Sequence, residues 1–129
     1  MENYFQKIKD FLLNLEYTIV REDAESNIFV IENEDEGIKN MIIAIAPPVL
    51  IIEQPLFNVK KDDVELYKTL LIKNRDMIHG AMVLDSEGKT VLYRDTLSIE
   101  NIDLNELEDS INSLSLLLSE FGDEILKYV

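Results

Sequence analysis

Between Asp103 and Val129, large apolar residues recur at 3-4-3-4 spacing: Leu104, Leu107, Ile111, Leu114, Leu118, Phe121, Ile125 and Tyr128. That spacing puts eight side chains on one stripe of a single long helix. Leu116, Leu117, Leu126 and Val129 lie outside the stripe and widen the apolar surface beyond what one neighbour would cover. A helix of this kind is wedged between two surfaces. One is the chain's own sheet, and the second is another helix, a second copy of the chain, or a partner.

At 129 residues the chain fits one domain, residues 1–129, large enough to bury about two-thirds of its unfolded surface. The 47% hydrophobic content, with four Gly and three Pro, sets it apart from compositions that stay disordered. Cysteine is absent, so disulfides, thiolate nucleophiles and zinc-thiolate or iron-sulfur ligation are excluded, and a reducing cytoplasm is the expected compartment. The first residues lack a basic stretch followed by an apolar core, so no secretory signal is expected. The longest apolar run, Met41 to Ile52, contains Pro47-Pro48 and falls short of the roughly 20 residues of a membrane span.

Twenty-six acidic against twelve basic side chains leave a net charge of −14, which repels phosphate backbones and anionic lipid. Neither nucleic acid nor membrane is therefore an expected partner. The acids gather at Glu22 to Glu25, Glu32 to Glu36, Asp62-Asp63 and Asp123-Glu124. Such groups serve as solvated turns, or they steer a basic partner.

Tyr4, Phe5, Ile8, Phe11, Leu12 and Leu15 repeat at helical spacing after Asn3, with Gln6 placed for a capping box. Tyr17 to Arg21 and Asn27 to Glu32 read as two short strands around a polar turn, and Glu32 to Gly37 as the next turn. Ile38 to Ala46 and Val49 to Phe57 are apolar on both alternating faces, the pattern of strands covered on both sides, with Pro47-Pro48 as the turn or bend between them. Asp62 to Asn74 predicts a second helix with Asp62 as N-cap, Glu65 three residues on, and Val64, Tyr67, Leu70 and Leu71 buried. Gly80 to Arg94 predicts a hairpin turning at Asp85 to Gly88, again apolar on both faces. The loop Thr96 to Ile102 then leads to the final helix, where Asp103 and Glu106 form a capping-box pattern.

The fold class is α+β: an antiparallel sheet of five or six strands with three helices, in the order α-β-β-β(-β)-α-β-β-α. The order and length resemble the YbjN-like domain and the related class I type III secretion chaperones, typified by the Tir chaperone family. The first helix at Tyr4 to Leu15, the middle helix at Asp62 to Asn74, the hairpin around Leu84-Asp85-Ser86-Glu87-Gly88 and the Leu-rich last helix carry the resemblance. It implies a homodimer that holds an extended, unfolded segment of a client protein on apolar patches and exposed strand edges. An exposed edge accepts a strand by main-chain pairing, and apolar pockets read alternate side chains.

No residue constellation marks an enzyme. His79 is the single histidine, and as a base it would need Asp76 or Asp95 beside it; with no Ser or Cys motif to serve, the expected reading is a strand-end histidine bonded to backbone. Glu32 to Gly37 fails the ligand spacing of a calcium loop, and the four isolated glycines form no phosphate loop. Arg94 is expected to pair with Asp95 or Glu100 and fix the entry to the last helix, the alternative being a carboxylate-recognition site. No metal or other cofactor is expected.

Protein binding by a chaperone or adaptor is thus the expected function. Val49, Ile51 and Leu56 are the expected client contacts on an edge strand, and Leu116, Leu117 and Phe121 the expected dimer interface. The client is expected to be basic or partly unfolded. The alternative is a small-molecule or metal-sensing domain on the same fold, with His79, Arg94 and nearby acids around a polar pocket.

Overall fold

A computed structural model describes residues 3–129. Three helices, α1 (Tyr4–Asn14), α2 (Val64–Asn74) and α3 (Leu104–Ile125), accompany six strands: β1 (Thr18–Asp23), β2 (Ile28–Asn33), β3 (Ile38–Ala46), β4 (Val49–Asn58), β5 (Ala81–Leu84) and β6 (Thr90–Ser98). The chain order α-β-β-β-β-α-β-β-α is that of an α+β fold. One sheet holds all six strands in the spatial order β1-β2-β3-β4-β6-β5, each pair antiparallel.

Local signals set most boundaries. The Asp103 carboxylate accepts from the Glu106 N–H at 2.8 Å, and the Glu106 carboxylate accepts from the Asp103 N–H at 3.3 Å, closing a full capping box on α3. On α1 only half the box forms. The Asn3 side chain accepts from the Gln6 N–H at 3.1 Å, whereas the Gln6 amide donates to Asp10. Helix α2 starts one residue later than expected, because Asp63 accepts from Glu65 and Leu66 N–H groups while Asp62 accepts from the Tyr67 hydroxyl. Pro47-Pro48 turns β3 into β4, where Ala46 pairs with Val49. Strand β6 continues to Ser98, past the expected loop start at Thr96, since β4 offers pairing partners down to Val49.

One face of the sheet is dry. Phe29, Ile31, Met41, Ile43, Ile45, Leu50, Ile52, Met82, Val91 and Tyr93 are buried there against Ile8 and Leu12 of α1 and Leu107, Ile111, Leu114 and Phe121 of α3. Phe5 of α1 stacks on Phe29 at 4.3 Å between centroids, and Lys73 of α2 sits 5.3 Å from the centre of the Phe121 ring. The expectation of strands covered on both sides is corrected at the other face. Ile42 is exposed, and Ile51, Val83 and Leu92 are half-buried, because all the core-forming helix residues serve one side.

Two buried polar groups fasten this core. Gln54 accepts from the Lys39 N–H and donates to the Gly37 carbonyl, each at 3.1 Å. The Tyr93 hydroxyl donates to the Ser110 carbonyl at 2.6 Å, tying β6 to α3. Gly80 packs so closely on that ring that a Cβ would lie 2.6 Å from the Tyr93 oxygen, and its φ of 72° is one that glycine adopts freely.

Burial pushes the Tyr93 phenol up to about 12. The unfolded chain ionises this group near 10 while the folded one keeps its proton, so its contribution is complete below pH 10 and is lost as pH rises towards 12. Tyr93→Phe is expected to lower stability by about 1 kcal/mol at neutral pH and to flatten the loss between pH 10 and 12. Urea titrations at a series of pH values check both effects.

Candidate functional site

Several surface features stand out once the core is assembled. The first is the outer edge of β1, which pairs with β2 alone. Its side-chain ties, Lys9 to Glu22 at 3.1 Å and Arg21 to Asp23 at 3.8 Å, join side chains and leave the strand's main chain alone. Val20 and, on α1, Leu13 are exposed. Next to the Thr18 end lies a concavity of about 390 Å³ lined by Glu16, Thr18, Glu32, Asn33, Glu34 and Asp35, so this edge is flanked by negative charge. Below it Tyr17 holds its proton more tightly than usual, through burial and then the charges of Glu36 and Glu108.

The second feature is the open sheet face. Register aligns Val30, Ile42, Glu53, Arg94 and Ala81 in one cross-strand row, and Ile28, Ala44, Ile51 and Thr96 in the next. Arg94 pairs with Glu53 of the neighbouring strand, which corrects the expected pairing with Asp95 or Glu100. Asp95 points to the opposite face, where it accepts from the buried Ser110 hydroxyl at 2.6 Å. Strand alternation separates the two, since successive residues face opposite ways.

The third feature lies between the end of α2 and α3. A cleft of about 470 Å³ is lined by residues that include Lys73, Met77, Ile78, His79, Leu116 and Leu117. Ile78 is 86% exposed and Leu116 58%. The His79 carbonyl accepts from the Ser113 hydroxyl at 2.6 Å, so the backbone at His79 is anchored to α3. His79 shares this cleft with Asp76, Asp109 and Glu120, while Arg94 does not line it, so the sensing alternative keeps its histidine and acids but loses its arginine. Among the described residues no group of three or more His, Asp or Glu is placed to hold a metal.

The fourth feature is a smaller cleft of about 300 Å³ between β3, β4 and α3, where Leu56 meets Pro55, Leu118 and Ile125.

The expected site residues divide accordingly. Strand β4 is central, paired to β3 and β6, so Val49, Ile51 and Leu56 do not lie on an edge strand as expected. Val49 and Ile51 are paired on both sides, so they have no free main-chain groups for strand addition and offer only side chains. Val49 and Ile51 sit on the open face, while Leu56 packs against the core beside a bulge between Pro55 and Phe57. Leu117 and Phe121 are corrected too. They are 4% and 1% exposed and packed in the chain's own core, with Leu117 reaching the surface only as part of the cleft wall beside His79. Leu116 alone of that trio is exposed.

The apolar surplus lies instead on α2. Leu66 and Leu70 face inward, and Val64 and Leu71, expected to be buried, are exposed together with Ile72. The signal was present in the sequence, because the apolar residues of 64–72 go round the helix rather than along one stripe. A second overlooked residue is Asn74. Its carboxamide accepts from the Met82 N–H at 2.8 Å and donates to the Met82 carbonyl at 3.1 Å, on the outer side of β5.

An antiparallel sheet with one face covered, one open and an unpaired edge is the frame of a small α+β domain. Residues 1–129 match the family model CesT_Tir_1, and the chain belongs to that family. Among curated proteins, none matches it in sequence. Its fold is similar to that of YbjN from E. coli, with a TM-score of 0.70, 13% identity, and coverage of 92% of this chain and 91% of that one. A chain of the HopA1–SchA chaperone–effector complex is similar at a TM-score of 0.66 and 12% identity, covering 92% and 94%. A chain of the Yersinia pestis type III secretion chaperone SycH, in complex with a fragment of YscM2, is similar at 0.55 and 17%, covering 98% and 100%.

The division between core and surface on α3 has a direct consequence. Phe121→Ala is expected to cost about 3–5 kcal/mol of folding stability, whereas Ser119→Gln, at an exposed position of the same helix, should leave the thermal midpoint within a degree or two. Calorimetry of the two variants checks the contrast.

Proposed function

We propose that this protein is a non-enzymatic chaperone or adaptor that holds an extended segment of a client protein, in the manner of a type III secretion chaperone. The observation that carries the reading is the β1 edge, six residues of strand with a partner on one side only. A client strand adds there by main-chain hydrogen bonds. The open face beyond it, with Ile42, Val49 and Ile51, supplies apolar contact for a further stretch of client, and the cleft at Leu56 takes one more side chain. The net charge of −14 and the acids beside Thr18 favour a basic segment and speed its encounter. Membership of CesT_Tir_1 and the likeness to chains of a chaperone–effector complex support the reading.

The working form is a homodimer. Its interface is centred on the outward apolar residues Leu71 and Ile72 of α2 and extends across the cleft to Ile78 and Leu116. A two-fold contact absorbs such a surplus with one surface used twice. Leu71→Asp combined with Ile72→Asp is expected to weaken dimerisation about 30-fold or more, the effect of about 2 kcal/mol at an interface centre. Sedimentation equilibrium shows this as a fall to monomer mass; an unchanged mass would move the interface elsewhere.

The client reading is tested by native mass spectrometry of the protein purified gently from its own host. A dimer carrying a second polypeptide in fixed ratio is expected, and Val20→Lys, a charge placed on the exposed edge, should reduce that polypeptide at least tenfold while leaving the circular dichroism spectrum unchanged. Equal amounts of the polypeptide on both proteins would count against the β1 edge.

A further inference from the structure

The sheet has two ends, and a single side chain distinguishes them. Strand β5 is four residues long and pairs with β6 on its inner side. Along a strand, the N–H and C=O of one residue point to the same side, and successive residues alternate sides. The inner side takes odd positions, as the Asp85 N–H bonded to the Thr90 carbonyl at 3.0 Å shows at the turn. The outward main-chain groups of β5 are therefore those of Met82 and Leu84, and Met82 is the inner of the two along the strand.

Asn74 occupies that outward pair. Its oxygen accepts from the Met82 N–H and its amide nitrogen donates to the Met82 carbonyl, the two bonds a residue on a neighbouring strand would make. A carboxamide alone among side chains of this size presents one acceptor and one donor side by side; aspartate lacks the donor. The residue is also held firmly. It is the last of α2, whose Leu66 and Leu70 are buried, whose first turn is capped by Asp63, and whose Lys73 lies over the Phe121 ring. Among the described residues no such plug stands against β1.

We propose that Asn74 is a specificity-determining residue that makes the sheet one-edged: by imitating a strand at Met82 it refuses strand addition at β5 and leaves β1 as the edge that takes the client. This rests on the strand-addition reading above and adds which edge is refused, and by what. Without the plug, β5 would be a second unpaired edge available to client strands and to other copies of the chain.

The test uses the full chain with an acetylated and amidated eight-residue peptide that alternates Val and Thr and carries Lys at both ends. Peptide binding is followed by amide NMR, and exchange of the Met82 amide is measured without peptide. In the native protein, shifts are expected at residues 18–23 and none at 81–84. In Asn74→Ala, shifts appear at both segments, and the Met82 amide exchanges about tenfold faster, the loss of one hydrogen bond, while that of Val83 does not change. Shifts at 81–84 in the native protein, or shifts confined to 18–23 in both proteins, would overturn the proposal. No binding at either edge would overturn strand addition itself, and the exchange of Met82 then decides separately on the plug: faster in the variant sustains it, equal rates refute it. If Asn74→Ala does not fold, Asn74→Ser replaces it, since the shorter hydroxyl cannot reach both groups.

Discussion

Helix α3 lies across one face of the sheet, and every other surface of the molecule takes its character from that contact. Leu107, Ile111, Leu114 and Phe121 fill the space above β3, β4 and β6, which forces the alternate residues of those strands to the far side. Burying this stripe is the main source of stabilisation, because apolar area removed from water contributes roughly 25 cal/mol per Å². The same contact brings polar links with it. Tyr93 reaches the Ser110 carbonyl, Ser110 reaches Asp95, and Ser115 donates to the Glu36 carbonyl at the turn before β3. These bonds fix the position of α3 along the sheet as well as its distance from it.

Covering one face leaves a sheet with an open face and two ends, and the ends are treated differently. The β5 end is closed by α2 through Asn74, while the β1 end remains available between the exposed Leu13 and the acids near Thr18. Native proteins guard strand edges because an unpaired row of N–H and C=O groups recruits other chains. Leaving one edge open is consistent with a protein that binds extended segments. The charge pattern fits as well, since a strongly acidic surface keeps copies of the chain soluble while attracting basic segments.

Much of the fold was readable along the chain. The Asp103–Glu106 capping box and the Asp85 to Gly88 turn are local patterns whose physical basis spans at most a few residues, and each is found where it was read; the 3-4-3-4 stripe holds from Leu107 to Ile125, while Tyr128 falls in a 3-10 turn beyond the end of α3. The boundaries that moved are those decided by remote partners. β6 runs on to Ser98 because Val49 is there to pair with it, and α2 starts at Val64 because Asp62 is drawn to Tyr67. The site was much less legible. Val49 and Ile51 read as edge residues, and only the insertion of β6 beside β4 makes that strand central. Leu117 read as surplus, yet the helix turns it inward, and the surplus falls on Leu71 and Ile72 of α2.

By itself the sequence determined the class of fold, the number of helices, the acidity of the surface and the lack of thiol chemistry, since periodicity, capping and composition are properties of short stretches or of simple sums. The tertiary structure alone decided which apolar residues are core, which strand is an edge and which edge is shut. Those depend on pairings between distant segments: Glu53 with Arg94 across 41 positions, and β1 left at the end of the strand order. Asn74 shows the difference most plainly. In the sequence it is the polar last residue of a helix, and only the approach of Met82 turns its amide into a substitute strand.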